Sequence, residues 1–84
     1  MDPLTIYSTN WCGDCRRVKM FLKDRGVRFV EINIENDPDA EDLVLKVNHG
    51  RRKVPTIKFG EKYFACTPFS AQKLADELGL PLNR

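Results

Sequence analysis

The stretch Leu4-Thr5-Ile6-Tyr7-Ser8-Thr9-Asn10-Trp11-Cys12-Gly13-Asp14-Cys15-Arg16-Arg17-Val18-Lys19-Met20-Phe21-Leu22 decides the fold. Its first five residues alternate and favour extended structure, which predicts a short strand. A polar turn follows. Two cysteines then open a segment in which Cys15, Val18, Phe21 and Leu22 recur at helical spacing. Arg16, Arg17, Lys19 and Lys23 fall on the other side of that helix and face water. Gly26 suits the position just past its end. A strand that runs straight into a helix, with paired cysteines at the junction, is the unit around which the rest is arranged.

Working outward, Phe29 to Ile34 predicts a second strand with Val30, Ile32 and Ile34 on one face. Asp37 can cap a second helix and Pro38 suits its first position. Ala40, Leu43, Val44 and Val47 then repeat at i, i+3, i+4 and i+7. Acids crowd the first turn, while Lys46 and His49 sit near the end, both complementary to the helix dipole. Gly50 stops the helix. Thr56 to Phe59, Gly60-Glu61 and Lys62 to Cys66 read as a hairpin with glycine first in a two-residue type II′ turn. Ser70 caps a last helix carrying Ala71, Leu74, Ala75 and Leu78, ended by Gly79 and Pro81.

The order β-α-β-α-β-β-α predicts an α/β protein, a mixed four-stranded sheet flanked by helices. The first two strands are parallel across a helical crossover, and the last two form an antiparallel hairpin. With 84 residues there is room for one domain, taken as residues 1–84. Hydrophobic residues at 42% and charged residues at 31% place it among folded globular chains. No apolar run approaches the ~20 residues of a membrane span. Met1-Asp2-Pro3 leads directly into the first strand without the pattern of a secretory leader, so a cytoplasmic location and no membrane partner are expected.

Charge is uneven although it sums to only +2. Residues 31–45 hold six acids and no base, while Lys46 to Lys62 hold six bases against Glu61. An acidic block of this size is a poor nucleic-acid signature. Separate basic zones suit a small anionic ligand instead. The three cysteines are too few for a disulfide-stapled scaffold, and two of them, Cys12 and Cys15, lie close together. In a reducing compartment such a pair reads as redox-active or metal-binding.

Helix onset favours the redox reading. A cysteine at the first position of a helix lies beside unpaired N–H groups and the positive end of the dipole, and both favour thiolate over thiol. Cys12 is then the attacking sulfur. Cys15, three residues on and one turn inside, lies close enough for a disulfide as the resolving sulfur. Arg16 adds positive potential on the same face. Asp14 opposes it, because a carboxylate between the thiols disfavours a further negative charge.

Tyr7-Ser8-Thr9-Asn10-Trp11-Cys12-Gly13-Asp14-Cys15, Val47-Asn48-His49-Gly50 and Val54-Pro55-Thr56-Ile57-Lys58-Phe59 together resemble the glutaredoxin family, and most nearly its mycoredoxin branch. The likeness runs from Leu4 to about Leu78. It implies a single thioredoxin-fold domain that reduces disulfides or mixed disulfides, with a low-molecular-weight thiol (glutathione, mycothiol or bacillithiol) as co-substrate and no bound cofactor. Cys12 matches the family's nucleophile, Cys15 its resolving cysteine and Pro55 its cis-proline. Val54 and Thr56 match positions whose backbone pairs with the bound thiol or substrate strand. A cis bond is cheap only before proline, and proline brings no competing N–H. Trp11, beside the nucleophile, is expected to face substrate. The implied partners of a monomer are a small thiol and disulfide-containing client proteins, with a flavoprotein reductase as the partner of the alternative reading below.

Two departures matter. Trp11-Cys12-Gly13 is how a thioredoxin site begins, with Asp14 where thioredoxin has proline. The glycine pair and acid that hold glutathione in the family become Thr67-Pro68-Phe69-Ser70, where Thr67 and Ser70 stand as ligand candidates at a helix start. Two other readings therefore stay open. One is a thioredoxin-like donor recharged by a flavoprotein reductase. The other is a non-catalytic zinc or iron–sulfur module, which for zinc needs Cys12, Cys15, Cys66 and His49 to converge. Cys66 otherwise reads as a small buried hydrophobe, and Arg51-Arg52-Lys53 as a solvated run or an attractor of anionic thiols.

Overall fold

A computed structural model describes residues 4–80. Met1 to Pro3 and Pro81 to Arg84, including the proline expected to follow the last helix, lie outside the described residues. The elements are β1 (Leu4–Ser8), α1 (Gly13–Asp24), β2 (Phe29–Asn33), a 3₁₀ turn (Ile34–Asn36), α2 (Pro38–Val47), β3 (Thr56–Phe59), β4 (Lys62–Ala65) and α3 (Ala71–Leu78). The sheet runs β2-β1-β3-β4, with β1 parallel to β2 and antiparallel to β3, and β3 antiparallel to β4. This is the expected α/β order and the thioredoxin arrangement.

The period of two in β1 sorts the core. Leu4 and Ile6 point to one face, where Val18, Phe21 and Leu22 of α1 meet Ile57, Cys66, Leu74 and Ala75. Tyr7 points to the other, with Ile34, Ala40 and Val44 under α2. Burial raises the Tyr7 hydroxyl above its ordinary range, helped by Tyr63 and Asp37. Register carries the layer across the sheet, since Ile6 pairs with Ile57 and Ile57 with Phe64.

The helix ends follow the expected chemistry. Asp37 accepts from the Ala40 N–H at 3.1 Å, and Ser70 from the Lys73 N–H at 3.1 Å. Past α1, Gly26 has φ +69°, and the Gly26 and Val27 N–H groups return to the carbonyls of Lys23 and Leu22, closing the helix.

Three expectations need correction. The second strand ends at Asn33, because the Asn33 side chain accepts the Glu35 N–H at 2.9 Å and turns Ile34 into a 3₁₀ turn. Val30 keeps the face expected of it, with Ile32, and stays outside the core. It is 48% exposed on β2, an edge strand, while Ile34 is buried. Cys12 is the residue that caps α1 rather than its first helical residue, and β4 stops at Ala65, one short of Cys66.

Candidate active site

The cap explains the site's geometry. Cys12 is extended (φ −84°, ψ 110°), so its side chain folds back over the start of α1. Its sulfur accepts the Cys15 N–H at 3.0 Å, the role a serine or aspartate oxygen usually fills. The two cysteines form a disulfide with Cα atoms 5.2 Å apart. Cys12 is half-buried, whereas Cys15 is 1% exposed against the core.

The loop before β3 closes over this sulfur. Cys12 Sγ lies 3.6 Å from the Val54 carbonyl oxygen, and the Val54–Pro55 bond is cis. Pro55 is buried, and its carbonyl accepts the Cys66 N–H at 3.0 Å. Thr56 is fully buried, paired to Tyr7 and Ala65. Its hydroxyl donates to the Lys53 carbonyl at 2.7 Å and accepts from Asn48 at 3.0 Å. Thr56 thus braces the loop, and Val54 is the residue that reaches Cys12.

Trp11 is 67% exposed beside the cysteines, its indole N–H held by Glu35 at 3.3 Å. Arg52 lies 3.9 Å from the same carboxylate and 2.9 Å from Glu41. The basic run is therefore partly engaged: Arg52 ties the proline loop to α2 while Arg51 is exposed.

Asp14 is not simply suspended between the thiols. Its carboxylate accepts from Thr67 at 3.0 Å and pairs with Arg17 at 3.2 Å, which joins the start of α1 to the β4–α3 connection. The Thr67–Pro68 bond in that connection is a second cis peptide. Ser70 spends its hydroxyl on its own helix.

On the other side of Cys12 lies a cleft of about 270 Å³ lined by Thr9, Asn10, Cys12, Arg16, Lys19, Glu31 and Asn33. Sequence reasoning found only Cys12 and Arg16 there. Lys19 donates to Glu31 at 2.8 Å and Ser8 donates to the same oxygen at 2.7 Å. Burial alone would raise the Glu31 carboxyl, but these hydrogen bonds and the charges of Lys19 and Lys23 hold it below the ordinary range. The missed signal was register: Glu31 and Asn33, two apart on β2, pair with Ile6 and Ser8 on the α1 side of the sheet.

Among the described residues no group of three or more His, Cys, Asp or Glu side chains could hold a metal ion. Cys66 is buried and free beyond β4, and His49 is exposed past α2 with φ 59°. No described helix is long and apolar enough to cross a membrane.

Comparison with known proteins bears on this geometry. The Glutaredoxin family model matches residues 4–64. Mycoredoxin 1 of Corynebacterium glutamicum is 35% identical over 75 residues, covering 89% of this chain and 92% of its own. The glutaredoxin-like protein NrdH of Lactococcus lactis is 35% identical over 72 residues, covering 86% and 94%. The solved holo form of glutaredoxin C1 from Populus tremula x tremuloides superposes with a TM-score of 0.72 at 28% identity, over 95% of this chain and 81% of that one. With its cysteines paired at the β1–α1 junction, the chain belongs to the glutaredoxin family of thiol–disulfide oxidoreductases.

Proposed function

We propose that this chain, acting as one monomeric domain in the cytoplasm, reduces mixed disulfides of a low-molecular-weight thiol and protein disulfides through Cys12 and Cys15. The observation that carries the reading is the contrast between the two sulfurs. Cys12 is half open and takes an N–H from the helix start, which stabilises a thiolate. Cys15 is sealed.

In the reaction, the Cys12 thiolate attacks one sulfur of R–S–S–R′. A Cys12–S–S–R bond forms and R′S⁻ leaves, to be protonated by solvent. A second small thiol attacks the R sulfur and restores Cys12. Alternatively Cys15, as thiolate, attacks the Cys12 sulfur, releasing R as thiol and leaving the Cys12–Cys15 disulfide. Two small-thiol molecules then return the electron pair and become a disulfide themselves. Val54 offers its backbone to the bound substrate beside Pro55, with Thr56 behind it. Trp11 presents an exposed ring to the client, and Asp14 and Arg16 set the local potential. Thr67 and Ser70 border the same opening on the α3 side.

Paired single substitutions test this. Cys12→Ser should abolish all turnover, since Cys15 is out of reach. Cys15→Ser should keep much of the mixed-disulfide activity and lose turnover on protein disulfides. A second reading, a thioredoxin-like donor recharged by a flavoprotein reductase, draws on Trp11-Cys12-Gly13 and on the NrdH relative. It wins if Cys15→Ser removes both activities and the wild type is recharged only by such a reductase.

A further inference from the structure

We propose that the cleft beside Cys12 seats the carboxylate of the small thiol, with Arg16 and Lys19 as its cations and Glu31 receiving an ammonium or hydroxyl of the same molecule. The assignment rests on the oxidoreductase reading above and names which thiols that site prefers: those bearing a carboxylate.

Position is the first argument. β2 and β3 lie on opposite sides of β1, so the cleft with Glu31 and Asn33 lies across β1 from the Val54–Pro55 loop. Cys12 borders both, so a thiol whose sulfur meets Cys12 can place its remaining atoms in the cleft.

Unspent polar capacity is the second. The Arg16 side chain makes no ion pair or hydrogen bond among the described residues, its backbone N–H alone being spent on the Cys12 carbonyl at 3.3 Å, and its five guanidinium N–H donors are available. Lys19 has one bond, to Glu31, and two donors left. Both bonds to Glu31 land on Oε2, leaving Oε1 to accept. Thr9 also lines the cleft, is only 5% exposed, and has a hydroxyl with no partner among the described residues. Such a group is normally satisfied, and a ligand or solvent in the cleft would satisfy it.

Charge is the third. Two cations against one carboxylate leave the lining net positive, which favours an anion over a neutral polyol. At the opposite border of the opening, the Asp14 carboxylate beside Thr67 opposes an anion. The helix geometry makes the cation pair: Arg16 and Lys19 are three apart and share one face of α1. A volume of about 270 Å³ suits part of a small molecule, below the ~300–1,000 Å³ of sites that enclose a drug-sized ligand.

Two measurements test the assignment. In the first, oxidised protein is titrated with S-methyl-L-cysteine, which has no free thiol, and with 2-(methylthio)ethylamine, which also lacks the carboxylate. Saturable amide shifts at Lys19, Glu31 and Asn33 are expected with the former only. Shifts centred on Val54 to Thr56 or on Ser70, or none, would overturn the site. In the second, reduction of a small mixed disulfide is driven by cysteine, cysteamine or 3-mercaptopropionate. Lys19→Gln should lower the cysteine-to-cysteamine ratio of kcat/KM about tenfold, the effect of one charge-assisted hydrogen bond. Glu31→Gln should lower the ratio of cysteine to 3-mercaptopropionate. A purely structural role would lower both members of each ratio alike. Unchanged ratios, or an effect confined to protein disulfides, would remove the small-thiol assignment. Failure of the wild type to use any thiol would refute the small-thiol reading of the proposed function and favour recharging by a flavoprotein reductase, while the titration would still decide the cleft.

Discussion

The carboxylate of Asp14 and the hydroxyl of Thr67, 53 positions apart in the chain, meet at 3.0 Å across the active-site opening. One residue of the Cys-Gly-Asp-Cys motif is thereby fastened to the segment that leads into α3. The contact holds a negative charge near the start of α1, where the backbone otherwise favours a thiolate.

Asp14→Asn separates these two effects. The amide oxygen can still accept from Thr67, but the charge is gone. In a Cys15→Ser, Cys66→Ser background, the Cys12 thiol should titrate below the unperturbed ~8.5, and Asp14→Asn should lower it further. Thiolate absorbance against pH measures both. A starting value at or above that reference would refute the helix-start argument, and no change on substitution would mean that Arg17 already neutralises Asp14.

Glu31 gives an acid-side prediction. Its folded-state carboxyl lies below the ordinary 4.5, so its contribution to stability is present above that pH and is lost as pH falls through the folded value. The Lys19–Glu31 pair is about a third exposed, so the contribution should stay below ~1 kcal/mol. Urea unfolding of wild type and Glu31→Gln between pH 7 and pH 3 checks it. The two stability curves should converge at low pH, and parallel curves would contradict the linkage.

Core and cap should differ in magnitude. Ile57 is fully buried where β1, β3 and both helices of one face meet, so Ile57→Ala should cost about 2–5 kcal/mol. Ser70→Ala removes the oxygen that caps α3 and should cost ~1 kcal/mol, lowering Tm by roughly 4–8 °C. Calorimetry that ranked Ser70→Ala above Ile57→Ala would invert this account of where the stability lies.

Much of this was legible because local signals agreed with one another. Asp37 with Pro38, Ser70, and Gly60 (φ +64°) between two strands each mark one boundary chemically, and each boundary stands where they put it. The end of β2 escaped because Ile34 fits a strand pattern as well as any residue. What ends the strand is an Asn33 side chain accepting from the residue two along. Val30 escaped because periodicity shows which residues share a face and is silent on whether an edge strand covers it. The cysteine pair was plain from spacing. The cleft was not, because Lys19 belongs to α1 while Glu31 and Asn33 belong to β2, and they meet only where the parallel register of β1 and β2 turns that face of the strand toward α1.

The sealing of Cys15 has a kinetic consequence. With one sulfur 1% exposed and the other half open, the molecule has a single port for electrons. Whatever recharges the protein and whatever it discharges onto must use the same doorway, one after the other. Donor and acceptor are then rivals for one surface. Turnover must alternate between them, and a large excess of either should slow the cycle by keeping the other out.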